Sequence, residues 1–304
     1  MSQIIYWLLN MSLLASVSGL VVIIIRQFKK IPRRIIYLLW VIPFLRFTLP
    51  FALASSFSFF RLFDRFRFAT VVIWKPTSIT YIDWRLAFSN YLGATNYERT
   101  VSYQEPFLYK TDLLAEIFRN VFWIWFLIAL ILILIVIGSY FITLQSVKKK
   151  ETKLSTPLVY GLFKQTIYIP NTYDEKEHRY VLLHEQVHAK RHDNLFRMLA
   201  LIIVCIHWFN PLAWLFLKLF YTDMELACDE KVYSGLSSEN KRDYALTIIH
   251  HSKSNDAYMT AFGGAPVKLR VKQLLSYRKM TIASLILLLL FLFIIFYTLL
   301  TNAA

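Results

Sequence analysis

Four apolar runs dominate this 304-residue sequence: Ile4 to Ile25, Ile35 to Phe60, Val121 to Leu144 and Thr281 to Leu300. Each reaches or exceeds the roughly 20 residues a helix needs to cross a hydrocarbon core. The chain is 57% hydrophobic, above the roughly 45–50% usual in soluble domains, and the excess sits in these runs. An integral membrane protein is therefore expected.

The net charge of +15 comes from 34 basic and 19 acidic residues. The cations cluster beside the apolar runs, as they do on the cytoplasmic side of membranes and against anionic lipid. No nucleic-acid-binding signature accompanies them, so no direct nucleic-acid partner is expected. The first run has no cation before it, and Arg26, Lys29, Lys30, Arg33 and Arg34 after it. That order predicts an uncleaved span with its N-terminus outside, because a cleavable leader carries its charge in front. Expected divisions are two transmembrane helices with a basic cytoplasmic turn (1–60), an extracytoplasmic loop (61–119) and a transmembrane helix (120–145). A cytoplasm-facing domain (146–279) and a C-terminal transmembrane helix with a short tail (280–304) follow. Arg46, inside the second run, is read as a packed structural cation, with a functional role as the alternative.

Within 146–279, Leu158 to Tyr160 and Thr166 to Pro170 flank Gly161 and predict short strands joined by a turn. Edge pairing of the second strand with a substrate strand has only its position in favour. Asn171 or Thr172, followed by Asp174, Glu175 and Glu177, predicts a helix start. That helix carries His184-Glu185-Gln-Val-His188. Residues i and i+4 share a helical face, so both imidazoles can grip one metal ion. Glu185 projects beside them, placed to take a proton from an attacking water that zinc would acidify.

A catalytic zinc needs a third protein ligand and an open position. The preferred candidate is Glu225 in Met224 to Glu230, with Asp229 one turn on to accept a hydrogen bond from a ligand imidazole. Asp229 itself, Asp223 and His192 are rivals. This choice requires residues 198–220 to form a membrane-associated helical hairpin rather than one full span. Asn210-Pro211 favours a turn there. The arms match at ~18 Å for Met198 to Phe209 and ~21 Å for Leu212 to Glu225, at about 1.5 Å per residue. Asp193, five residues past His188, either orients a ligand imidazole or caps a helix. His250 and His251 are read as solvent-exposed, with oxyanion stabilisation as the alternative. Cys205 and Cys228 are read as packing residues. The fold class is an α-helical multi-pass membrane protein with a small cytoplasmic α+β zincin-like metallopeptidase domain.

Several stretches resemble the BlaR/MecR-type membrane metallopeptidases: Leu38 to Pro50, Pro157 to Pro170, His184 to Asn194, Trp208 to Trp214, Glu225 to Glu230 and Ala261 to Lys279. The resemblance implies zinc held by His184, His188 and Glu225, with Glu185 as base. It also implies signalling: an outer penicillin-binding sensor, a cytoplasmic protease, loss of a DNA-bound repressor, and self-cleavage between the zinc site and the last span. Here no sensor domain follows Leu300, so a short form is expected. Ser276 to Lys279 matches Ser-x-x-Lys but lies on the inner side beside a span, where it is coincidental.

The function expected is cytoplasmic-side zinc metalloendopeptidase activity in signal transduction, acting on a repressor or on the chain itself. The alternative is a non-proteolytic membrane receptor or scaffold with a structural zinc. Expected partners are membrane lipid and a protein substrate, a cytoplasmic DNA-binding repressor among them. A homodimer is left open.

Overall fold

The protein is described by a computed structural model, which covers residues 2–28, 30–49, 54–55, 106–148, 157–170, 173–251, 265–276, 281–300 and 302–303. These residues are mostly helical, with two small two-stranded sheets. Helices are α1 (Ser2–Arg26), α2 (Arg33–Leu39), α3 (Val41–Thr48), α4 (Pro106–Lys148), α5 (Glu175–Arg191), α6 (Asp193–Ile206), α7 (Pro211–Gly235), α8 (Ser238–His251), α9 (Val267–Leu275) and α10 (Ile282–Leu300). Strands are β1 (Ala54–Ser55), β2 (Leu158–Tyr160), β3 (Thr166–Tyr168) and β4 (Asn302–Ala303). The extracytoplasmic loop expected at 61–119 lies outside the described residues except where α4 enters it.

The chain divides into two compact units. One comprises Met1–Val21, Val41–Ile131 and Thr281–Ala304. In it α3 packs on α10, and β1 pairs with β4 in parallel. The other comprises Val22–Trp40 and Leu132–Met280 and contains the candidate metal ligands and Glu185.

Among the described residues two helical stretches are long and apolar enough to cross a membrane, Trp7–Arg26 and Ile117–Gln145. Ile286–Ile295 is a shorter apolar stretch. Helix α4 starts at Pro106, fifteen residues before the expected start of its apolar run. Proline suits that first position, because its missing N–H is one a helix start leaves unbonded anyway. The second apolar run differs from expectation. It is broken at Trp40 into α2 and α3, and Pro43 explains the break: proline cannot donate to the carbonyl four residues back and its ring crowds that carbonyl. Arg46 is 2% exposed, a packed cation.

In the second unit, β2 and β3 pair antiparallel, Val159 opposite Ile167. The turn between them needs glycine. Gly161 has φ 94°, and a Cβ there would lie 2.1 Å from the Lys164 carbonyl oxygen. Helix α5 starts two or three residues later than the sequence suggested: Asp174 is the cap, accepting the Glu177 N–H at 2.7 Å. Glu175 and Glu177 in its first turn and Lys190 and Arg191 in its last suit the helix dipole. It ends at His192, which adopts the left-handed conformation, and α6 begins at once. The run 198–220 is two helices: α6 ends at Ile206, and Asn210 caps α7 by accepting the Leu212 N–H, with Pro211 in the first turn. Behind these, Tyr180, Val232, Tyr244, Ile248 and Leu274 form one buried cluster from α5, α7, α8 and α9.

Candidate metal centre

Helices α5 and α7 pack together, which sets Glu225 against the face carrying His184 and His188. The two Nε2 atoms are 3.1 Å apart. Glu225 Oε2 lies 3.5 Å from His184 Nε2 and 3.6 Å from His188 Nε2. Nitrogen and oxygen ligands at 2.0–2.1 Å around a tetrahedral ion stand about 3.3 Å from one another. The three atoms therefore form a face of the right size for zinc, and the donor set suits it. The geometry fits the metal the residues imply.

Each imidazole is oriented through its other nitrogen. His188 Nδ1 donates to Asp193 Oδ2 at 2.5 Å. His184 Nδ1 donates to the Tyr244 hydroxyl oxygen at 3.0 Å and stands 3.3 Å from Asp229 Oδ1. The Tyr244 hydroxyl in turn donates to Asp229 Oδ1 at 2.8 Å. Both Nε2 lone pairs are thus aimed at the same point, the arrangement that metal-ligating histidines require. The N-cap of α6 is His192, whose side chain makes no cap hydrogen bond, and Asp193 is the first residue of that helix. The Asp193 carboxylate also accepts from Arg191 and, at 3.1 Å, from the Tyr37 hydroxyl.

Each of the three carboxylates has its own guanidinium: Glu225 is gripped by Arg197, Asp193 by Arg191 and Asp229 by Arg270. Burial works against all three carboxylates, but these partners and the histidines hold each below its ordinary range, Glu225 well below. Burial also opposes charge on the imidazoles. The electrostatic pull of Cys228 and Tyr244 and the hydrogen bond to Asp229 nevertheless raise His184 well above its usual value. Cys228, Glu225 and Asp193 do the same for His188. The site is thus a cluster of three carboxylates, each met by its own arginine.

Glu185 lies next to His184 on α5, partly exposed. Nearby, burial and the charges of Glu185 and Glu177 push the Tyr173 phenol up to about 12, so it stays a donor at neutral pH. The rival ligands sit elsewhere. Asp223 is buried against Arg26 and Trp40, and His192 is the exposed residue at the α5–α6 bend. His250 pairs with Glu177 at the surface, 3.1 Å away. The side chain of His251 lies outside the described residues.

Cys228, read from the sequence as a packing residue, is buried as expected and also borders the site. It is fully buried, its sulfur stands 3.3 Å from the His184 carbonyl oxygen, and it lies within 4.8 Å of ring nitrogens of both histidines. A signal for it exists in the sequence, since positions 225, 228 and 229 fall on one helical face. Tyr244, Arg270 and Arg197 had no such signal, because each comes from a different element or turn.

A family model described as BlaR1 peptidase M56 matches residues 6–155 and 145–282. The methicillin resistance mecR1 protein of Staphylococcus aureus is 30% identical over 142 residues, covering 43% of this chain and 24% of that protein. The regulatory protein BlaR1 of Bacillus licheniformis is 31% identical over 99 residues, 32% of this chain and 16% of that protein. BlaR1 of Staphylococcus aureus is 29% identical over 107 residues, 34% and 18% respectively. The chain thus spans a quarter or less of the length of these relatives. No solved structure matches it.

Proposed function

Because this chain belongs to the BlaR1 peptidase M56 family, we propose that it is an integral-membrane zinc metalloendopeptidase whose site lies on the cytoplasmic side. The observation that carries the reading is the triangle of His184 Nε2, His188 Nε2 and Glu225 Oε2, with edges of 3.1, 3.5 and 3.6 Å, beside an acid at position 185. Helices α1, α4 and α10, together with the α2–α3 segment, are read as the spans, and the N-terminus as outside. Residues 146–279 are read as a zincin-like domain with the α6–α7 hairpin seated in the membrane.

His184, His188 and Glu225 would hold the ion, leaving one position open. Zinc held there would supply a Lewis acid that polarises the scissile carbonyl and acidifies the attacking water. Glu185 then accepts the proton of the attacking water on its carboxylate and returns it to the leaving amine nitrogen. Asp193 and Asp229 keep both imidazoles in the tautomer with Nδ1 protonated. The substrate is a cytoplasmic repressor or the chain itself, and the role is signal transduction.

Cys228 favours a second reading. A fourth protein ligand closes a zinc site and makes it structural, and this sulfur stands close enough to be drawn in. The chain would then be a receptor or scaffold without proteolysis.

The test uses purified, zinc-quantified full chain in lipid, comparing wild type with Glu185→Ala for self-cleavage and repressor cleavage. One zinc per chain in both, with cutting by wild type only, supports the peptidase. Loss of the base should slow cutting about 10²–10⁴-fold. Zinc in both without cutting by either moves the scaffold reading ahead. Zinc in neither sinks the site.

A further inference from the structure

Helix α9 is two-faced. Val267, Arg270, Val271 and Leu274 fall at i, i+3, i+4 and i+7, one helical stripe. Leu274 lies in the buried cluster beneath α5 and α7, and Val267 and Val271 pack against it. Lys268, Lys272 and Leu275 are exposed on the other side, Leu275 at 76%. The one charged residue of the inward stripe, Arg270, reaches Asp229 with both arms of its guanidinium. Nε donates to Oδ2 and Nη2 to Oδ1, each at 2.7 Å. Asp229 is 1% exposed, and among the described residues its charge is otherwise met by the Tyr244 hydroxyl and His184.

We infer that Arg270 is a positioning residue for the metal centre, acting through Asp229 on His184, so that tight metal binding requires α9 to be docked. This rests on the metallopeptidase reading above. A buried carboxylate free to rotate about its last torsion could turn away from His184. The planar guanidinium fork fixes both oxygens in one plane, leaving Oδ1 aimed at Tyr244 and the imidazole. Lysine can restore the charge but not the fork. Arg270 comes from an element 41 residues beyond Asp229 and only 12 before Ile282, where the last apolar helix begins. Metal affinity is therefore sensitive to how that segment is held, even though no atom of α9 touches the metal-facing nitrogens.

The experiment measures zinc affinity of the whole 304-residue chain by competition with a chromophoric chelator, together with the visible spectrum after cobalt substitution. Wild type, Arg270→Gln, Arg270→Lys, Asp229→Asn and the Asp229→Asn/Arg270→Gln double variant are compared. Arg270→Gln should lose about 10- to 100-fold in affinity, the range for partners that orient a ligand, and Arg270→Lys should recover part of it. The double variant should bind no worse than Asp229→Asn alone, since Arg270 acts only through that carboxylate. If Arg270→Gln does not fold, the same cycle is run with Arg270→Lys. Affinity and cobalt spectrum unchanged in the Arg270 variants, or losses that add in the double variant, overturn the inference and leave Arg270 a structural tie. Absence of metal from the wild type overturns this inference and the metallopeptidase reading together.

Discussion

His188 Nδ1 and Asp193 Oδ2 stand 2.5 Å apart across the bend where α5 gives way to α6. On an unbroken helix, five residues would carry Asp193 about 140° around the axis from His188. The bend removes that separation, and one residue makes it: His192, at φ 55° and ψ 39°. The local fold and the aim of a candidate ligand therefore depend on one left-handed residue.

Replacing Asp193 by Asn should leave the bend intact while weakening the grip on His188. Asn can present its NH₂ to Nδ1 and permit the wrong tautomer, in which Nε2 carries the hydrogen. Zinc affinity should fall about 10- to 100-fold, measured by chelator competition. Affinity within twofold of wild type would show that Asp193 has no orienting role.

The bend itself is open to a separate test. Glycine adopts positive φ without strain, so His192→Gly should leave thermal stability near wild type. His192→Val, β-branched and disfavoured there, should cost about 1–2 kcal/mol and weaken zinc binding in parallel. Equal stabilities for the two variants would count against a strained left-handed requirement.

The pattern of residues made the helix bearing His184 and His188, the strand pair around Gly161 and the break at Asn210-Pro211 legible, because each has a local signature: i, i+4 spacing, a turn residue, a cap. Glu225 and Asp229 were legible because a metal needs carboxylates and these share one face. The arginines were not. Arg197, Arg191 and Arg270 each neutralise one carboxylate of the site, but that is a fact of tertiary packing with no sequence period. The split of the second apolar run at Trp40 had its sign in Pro43, which hydropathy passes over because it reports burial, not helix continuity.

The basic turn after α1 carries a topology signal, and the structure gives it further work. Arg26 pairs with Asp223 at 2.8 Å, and Trp40 Nε1 donates to the same carboxylate at 2.9 Å. The Arg33 backbone N–H donates to Glu230 at 2.6 Å and Arg34 Nε to its other oxygen at 3.1 Å. Both acids are on α7, on either side of Glu225. Asp223 is fully buried, so Asp223→Ala leaves Arg26 and the Trp40 N–H without their acceptor. Breaking a buried pair this way costs about 3–5 kcal/mol, which a denaturation midpoint in detergent would register. A change below ~1 kcal/mol, the worth of an exposed pair, would mean the turn does not hold α7.

Metal uptake and metal-free stability should respond to pH in opposite directions. His184 faces Cys228, Tyr244, Asp229 and Glu225, and His188 faces Cys228, Glu225 and Asp193. These surroundings raise both imidazoles well above the ordinary value against the pull of burial. A base whose folded pKa exceeds its unfolded value near 6.5 stabilises the fold fully below 6.5 and loses that contribution as pH rises through the folded pKa. Metal-free protein should therefore lose stability on going alkaline, and replacing both histidines with Gln should flatten that slope. Zinc, by contrast, needs both rings neutral. Its binding at pH 7 should release protons, and its apparent affinity should climb with pH until the rings have titrated. Calorimetry in two buffers of different ionisation enthalpy counts those protons. A zinc-binding heat that does not depend on the buffer would show that the histidines are already neutral at pH 7.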